Sequence, residues 1–108
     1  MKKNNFNNKI ALIGSGILSK EFAQRAKQLN IETFCFSFDE KDIAVPYVDH
    51  YYKINIFNYD EIASVCKENN VSGVIATTEL TILPSAEIAE RIGALSIPDG
   101  VNFNSTND

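Results

Sequence analysis

The sequence predicts a three-layer α/β domain, a mainly parallel sheet of about four strands with helices on both faces. Three observations carry this expectation: short apolar runs alternate with helix-period segments, the first run breaks at a glycine turn, and only one core's worth of chain is present. The 108 residues suit one compact domain. With 44% hydrophobic and 22% charged residues, the composition is that of a folded globular chain.

Lys9-Ile10-Ala11-Leu12-Ile13 is a buried-strand run closed by Gly14-Ser15-Gly16. Leu18, Phe22, Ala26 and Leu29 then step by helical intervals, which predicts a first helix with these residues toward the sheet. Ile31 to Phe38 is rich in β-branched and aromatic residues and reads as the second strand. Asp39-Glu40-Lys41-Asp42 is a polar turn, and Pro46 keeps the stretch to Asp49 in a loop. Tyr51 to Ile54 is the third strand.

Asn58 and Glu61 approximate a capping box, so a second helix starts there and buries Ile62, Val65 and Cys66. Asn69-Asn70 suits its left-handed end. Gly73 to Ala76 is the fourth strand. A third helix is expected from about Thr81, with Pro84 in its first turn, through Ala86, Ala89 and Ile92 to a stop at Gly93. Leu95 to Ile97 is a further short extended piece, Pro98-Asp99-Gly100 a turn, and Asn102 to Asp108 resembles the opening of another helix. Residues 1–8 read as a flexible, solvated tail.

Composition also bounds the function. A net charge of −4 repels a phosphate backbone, so nucleic acid is not an expected partner. The N-terminal residues carry no apolar run long enough for a signal or a membrane span. Cys35 and Cys66 sit in apolar segments without a metal-ligand spacing, which predicts buried reduced thiols and a cytoplasmic setting. His50 is the only histidine and has no ligand partner at a useful spacing, so neither a metal site nor a Ser-His-Asp arrangement is expected. Tyr47, Tyr51 and Tyr52 read as packing along the sheet edge.

The candidate site lies where such sheets bind ligands, beyond the carboxyl ends of the strands. Gly14, Ser15, Gly16, Ile17 and Leu18 form the turn from strand to helix, where backbone N–H groups suit an anion or a carboxylate. Ser19 stands in place of the third glycine of a dinucleotide fingerprint, although Asp39 follows at the ~20-residue spacing at which an acidic residue holds a ribose. A tight turn alone also explains the glycines, and solvation alone explains Asp39. Thr78 and Glu79 end the fourth strand before a helix, where Glu79 either faces the cleft or only caps the helix.

These pieces, in order, resemble the pre-ATP-grasp domain that stands at the N-terminus of carbamoyl-phosphate-synthase-like and amino-acid-ligase-like ATP-grasp proteins. The resemblance covers residues 9–108. It rests on Lys9 to Gly16, on Asp39 with Pro46 and Asp49, on Asn55-Ile56-Phe57-Asn58, on Gly73 to Glu79, on Ala89 to Gly93, and on Asn104 to Asp108. It implies a Rossmann-like domain over residues 9–100 and, at 101–108, the start of a connection to an ATP-grasp domain. That domain would bind ATP and Mg²⁺, with no cofactor held in this chain.

The implied function is the substrate-side domain of an ATP-dependent carboxylate-amine, or carbamoyl-phosphate-synthase-like, ligase, inactive alone. Its partners would be the downstream domain and a small carboxylate or amine, and a homodimer is compatible with the sequence. The alternative is a regulatory or redox module holding NAD(H) through Gly14, Gly16 and Asp39.

Overall fold

The computed structural model describes residues 8–98. The tail expected over residues 1–8, save for Asn8, lies outside that range, as do Asp99-Gly100 and the helix start expected at Asn102 to Asp108. The elements are β1 (Lys9–Ile13), α1 (Ile17–Gln28), β2 (Glu32–Ser37), β3 (His50–Lys53), α2 (Tyr59–Glu68), β4 (Gly73–Ala76), α3 (Ile82–Ile92) and β5 (Leu95–Pro98). Among the described residues the sheet has five strands, since the short extended piece expected after α3 pairs in parallel with β4. Its order is β3-β2-β1-β4-β5, and every pair is parallel.

Two-sided burial explains the near-continuous apolar strands. Ala11, Ile13, Phe34, Phe36 and Val74 face α2 and α3, which contribute Ile62, Cys66, Ile88 and Ala89. Leu12, Cys35 and Ile75 face the other way, toward Ala23 of α1. The strand pleat thus sends alternate residues of one run into two cores.

The fully buried stripe of α1 is Ser19, Ala23 and Ala26; of the expected Leu18-Phe22-Ala26-Leu29 row, Ala26 is buried, Phe22 packs partly against the core and Leu18 is half-buried. Small residues let the helix lie close on the sheet, where Ser19 Oγ donates to the Gly14 carbonyl at 2.8 Å. Leu29 is the helix C-cap and is 60% exposed. In α3, Ala86 is exposed, and Pro84, Ser85, Ile88 and Ala89 are buried. In α2, Ile62, Ala63 and Cys66 are buried, with Val65 packed partly against them. The capping box at Asn58 does not form: the Asn58 amide donates to Glu61 Oε1 at 2.7 Å instead of accepting from the first-turn backbone.

The three helices of the described residues end in the same closure. Asn30 (φ 59°), Asn70 (φ 60°) and Gly93 (φ 70°) are left-handed. The following N–H reaches back to Ala26, Cys66 and Ala89, each at 2.9 Å, satisfying orphan carbonyls as the chain turns toward the next strand. At the sheet edge, Asp49 Oδ2 accepts from the Thr33 N–H at 2.9 Å, while the Asp49 N–H donates to Thr33 Oγ1 at 3.0 Å. This double contact starts β3 in register with β2, where Phe34 stacks on His50 and Phe36 on Tyr52.

Candidate functional site

β1 is flanked by β2 on one side and β4 on the other, so the sheet grows in opposite directions from it. The crevice at such a switch point opens at the strand carboxyl ends. A cleft of about 510 Å³ lies there. Gly14 and Ser15 line it from the end of β1, and Ser37, Phe38, Asp39 and Asp42 from the end of β2 and the loop after it. Asn55, Ile56 and Phe57 come from beyond β3, and Thr78, Leu80 and Thr81 from beyond β4.

Gly14 sits at φ +100°, where a Cβ is strained, and a methyl group there would meet Thr81 Cγ2 at 3.4 Å. Its N–H donates to the Phe36 carbonyl at 2.8 Å, which folds the turn over β2. Gly16 differs: its φ is −81°, and an added Cβ would meet open space.

Ser15 is buried and organises one wall. Its Oγ lies 2.9 Å from Asp42 Oδ2 and 2.7 Å from Ser37 Oγ. A serine has one hydroxyl proton, so Ser15 donates to Asp42 Oδ2 or to Ser37 Oγ, one at a time. Tyr51 continues the line by donating to the Ser37 carbonyl at 2.9 Å. The Ala44 N–H donates to the Ser15 carbonyl at 3.0 Å, and Ile43 N–H to Asp42 Oδ1 at 2.8 Å. The β2–β3 loop is thereby fastened to the glycine turn.

The charged groups that line the cleft are Asp39 and Asp42, both acidic. Asp39 Oδ1 accepts from the Lys41 N–H at 3.0 Å. Lys53 pairs with Glu40 at 2.9 Å and stands 5.3 Å from the centre of the Phe38 ring. Hydrogen bonding and charge hold the Glu40 carboxyl below, and the Lys53 ammonium above, their usual ranges. Behind the turn, Cys35 Sγ donates to the Gly14 carbonyl at 3.4 Å. Burial, with a smaller push from the Asp42 carboxylate, raises this thiol to about 12. Burial alone raises Cys66 to about 12. Both are unpaired and buried, as the sequence predicted.

Of the residues singled out from sequence, Gly14, Ser15, Asp39 and Thr78 come together in the cleft. Gly16, Ile17, Leu18 and Glu79 do not line it. Gly16 is the N-cap of α1, Ile17 is its exposed first residue, and Leu18 is half-buried. Glu79 is exposed at the start of a 3-10 turn, Glu79–Thr81, closed by the Thr78 N–H donating to Thr81 Oγ1 at 3.1 Å. Sequence reasoning missed Ser37, Phe38, Asp42, Asn55, Ile56, Phe57, Leu80 and Thr81. Their common signal is position, since each lies within a few residues of a strand's carboxyl end.

Among the described residues, no group of three or more His, Cys, Asp or Glu side chains is placed to hold a metal ion. No helix among them is long and apolar enough to cross a membrane.

No protein-family model matches the chain, and no curated protein matches it in sequence. Solved structures do match in fold. N5-carboxyaminoimidazole synthetase from Staphylococcus aureus, complexed with ADP, superposes with a TM-score of 0.69 at 16% identity, over 88% of this chain and 24% of that one. N5-carboxyaminoimidazole ribonucleotide synthetase from Thermotoga maritima gives 0.66 at 15%, over 82% and 24%. Phosphoribosylglycinamide synthetase from Anaerococcus prevotii gives 0.64 at 21%, over 77% and 22%. The chain therefore has the fold of about a quarter of each of these synthetases, which is the Rossmann-like fold expected from the sequence.

Proposed function

We propose that this chain is the N-terminal, substrate-side domain of an ATP-dependent ligase that joins a carboxylate to an amine. The observation that carries the reading is an open cleft at the carboxyl edge whose rim is apolar: Phe38, Phe57 and Leu80 are each more than half exposed. Ile17, Ile82 and Leu83, also exposed, begin the helices that follow β1 and β4. Apolar side chains gathered around a ligand cleft suit contact with a second body that completes the site. The fold shared with a quarter of several synthetases supports an ATP-grasp domain as that body.

In this reading residues 9–100 form the module, residues 1–8 a tail and residues 101–108 the start of the connection. The glycine turn and the strand ends hold the non-nucleotide substrate. The lysines that hold ATP and the acids that hold Mg²⁺ belong to the following domain, where phosphorylation activates the carboxylate for attack by the amine. Buried reduced thiols fit a cytoplasmic setting.

The coding sequence beyond Asp108 tests this first: a lysine-bearing, acid-rich ATP-grasp pattern is expected, and a reading frame ending there overturns it. Titration of the chain with ATP and with NAD(H) tests the rival redox module. Binding of neither is expected, and micromolar NAD(H) binding would favour the rival.

A further inference from the structure

We propose that Asp42 acts as a built-in anion at the glycine turn, so that the cleft accepts an amine-bearing, cationic ligand and turns away a phosphorylated one. This rests on the reading of the cleft as a substrate site. A glycine turn between a strand and a helix ordinarily offers its polar groups and the positive helix end to an anion. Here the chain supplies that anion itself. The Ser15 hydroxyl, one residue before the N-cap of α1, lies 2.9 Å from Asp42 Oδ2. The Ala44 N–H donates to the Ser15 carbonyl and locks the loop that carries the carboxylate over the turn.

The rest of the lining agrees in sign. Asp39 adds a second carboxylate, and each aspartate retains acceptor capacity beyond its recorded bonds. Among the described residues, no Lys or Arg side chain lines the cleft: Lys53 stands over the Phe38 ring but is paired with Glu40, Lys20 stands over the Tyr47 ring, and the Lys41 side chain is exposed. Phe38 and Phe57 stand exposed at the rim and add apolar contact for a ligand. An ammonium group in the cleft meets the opposite charge of two lining carboxylates, whereas a phosphate there meets two like charges.

The test compares three probes that share a phenyl ring, 2-phenylethylamine, benzyl alcohol and phenyl phosphate. Each is titrated at pH 7 and constant ionic strength into the ¹⁵N-labelled 108-residue chain. Amide shifts of Ser15, Asp39, Asp42 and Phe57 are the readout. The amine is expected to bind about tenfold or more tightly than the phosphate, with the alcohol between. D42N is expected to weaken the amine and strengthen the phosphate. D39N, changed at an exposed side chain where folding is not at stake, is expected to lose part of the amine preference.

Phosphate binding as tight as the amine in the unaltered chain overturns the proposal, as does charge selectivity that survives both substitutions. The measurement uses no ATP, so it stands or falls separately from the ligase assignment.

Discussion

Ser15 and Asp42 are 27 residues apart and meet at 2.9 Å, joining the turn after β1 to the loop after β2. Neither is part of a regular element. The pair fixes where the cleft's carboxylate stands, and the Ser37 hydroxyl behind it completes a polar wall that is buried on its protein side.

Ser15→Ala removes the hydroxyl shared by Asp42 and Ser37 and is expected to cost about 1–3 kcal/mol in urea-unfolding stability. Amide exchange in residues 42–44 should quicken by more than the global loss accounts for. Uniform quickening would show that Ser15 holds the fold but not the loop.

Gly14→Ala and Gly16→Ala separate the two glycines. The first forces a Cβ into φ +100° against Thr81 and should cost about 1–3 kcal/mol. The second meets open space at φ −81° and should stay within about 0.5 kcal/mol of the unaltered chain. Equal urea midpoints for both variants would contradict the geometry.

Ser19→Gly restores the third glycine of a dinucleotide fingerprint, yet no gain in NAD(H) affinity is expected, because Asp42 remains at the turn. Stability should fall by about 2 kcal/mol, from the lost hydrogen bond to Gly14 and the freer helix backbone. Calorimetric titration with NADH checks the first outcome and urea unfolding the second.

The two thiols set an alkaline limit. Each is raised in the folded state from 9.0 to about 12, so the folded chain keeps protons that the unfolded chain releases. Their stabilising effect is complete below pH 9 and is lost as pH rises through 12, at up to ~1.4 kcal/mol per pH unit per thiol. Urea midpoints should therefore be insensitive to these groups up to pH 8.5 and fall steeply above pH 9.5. Cys66→Ala should roughly halve that slope. Iodoacetamide at pH 8 should modify neither thiol faster than the domain opens.

The strand and helix order was legible because it depends on local signals: apolar runs for β1, β2 and β4, left-handed residues at Asn70 and Gly93, and Pro84 in the first turn of α3. The α1 face was misread because apolar size was weighed above close approach, and the sheet here takes Ser19 and Ala23 where Leu18 and Leu29 were expected. Two-thirds of the cleft lining was not legible, for a different reason. Asp42 and Phe38 sit in a stretch whose composition is that of any solvated turn, and only the strand order brings them into one cleft with Ser15 and Asn55. The rule that ligands gather beyond strand ends was applied to β1, β2 and β4. Its extension to β3 would have found Asn55 and Phe57.

β2 passes to β3 without an α-helix, through residues 38–49, whose one regular element is a short 3-10 turn at Val45–Tyr47. Asp49 and Thr33 pin its far end, so the segment is clamped at both ends and irregular between them. Lengthening such a segment costs only about 0.6 kcal/mol per doubling of loop length. Ligand preference in this architecture is therefore a graftable property: a stretch of a dozen residues can be exchanged to present a different charge over the glycine turn, while five strands and three helices stay where they are.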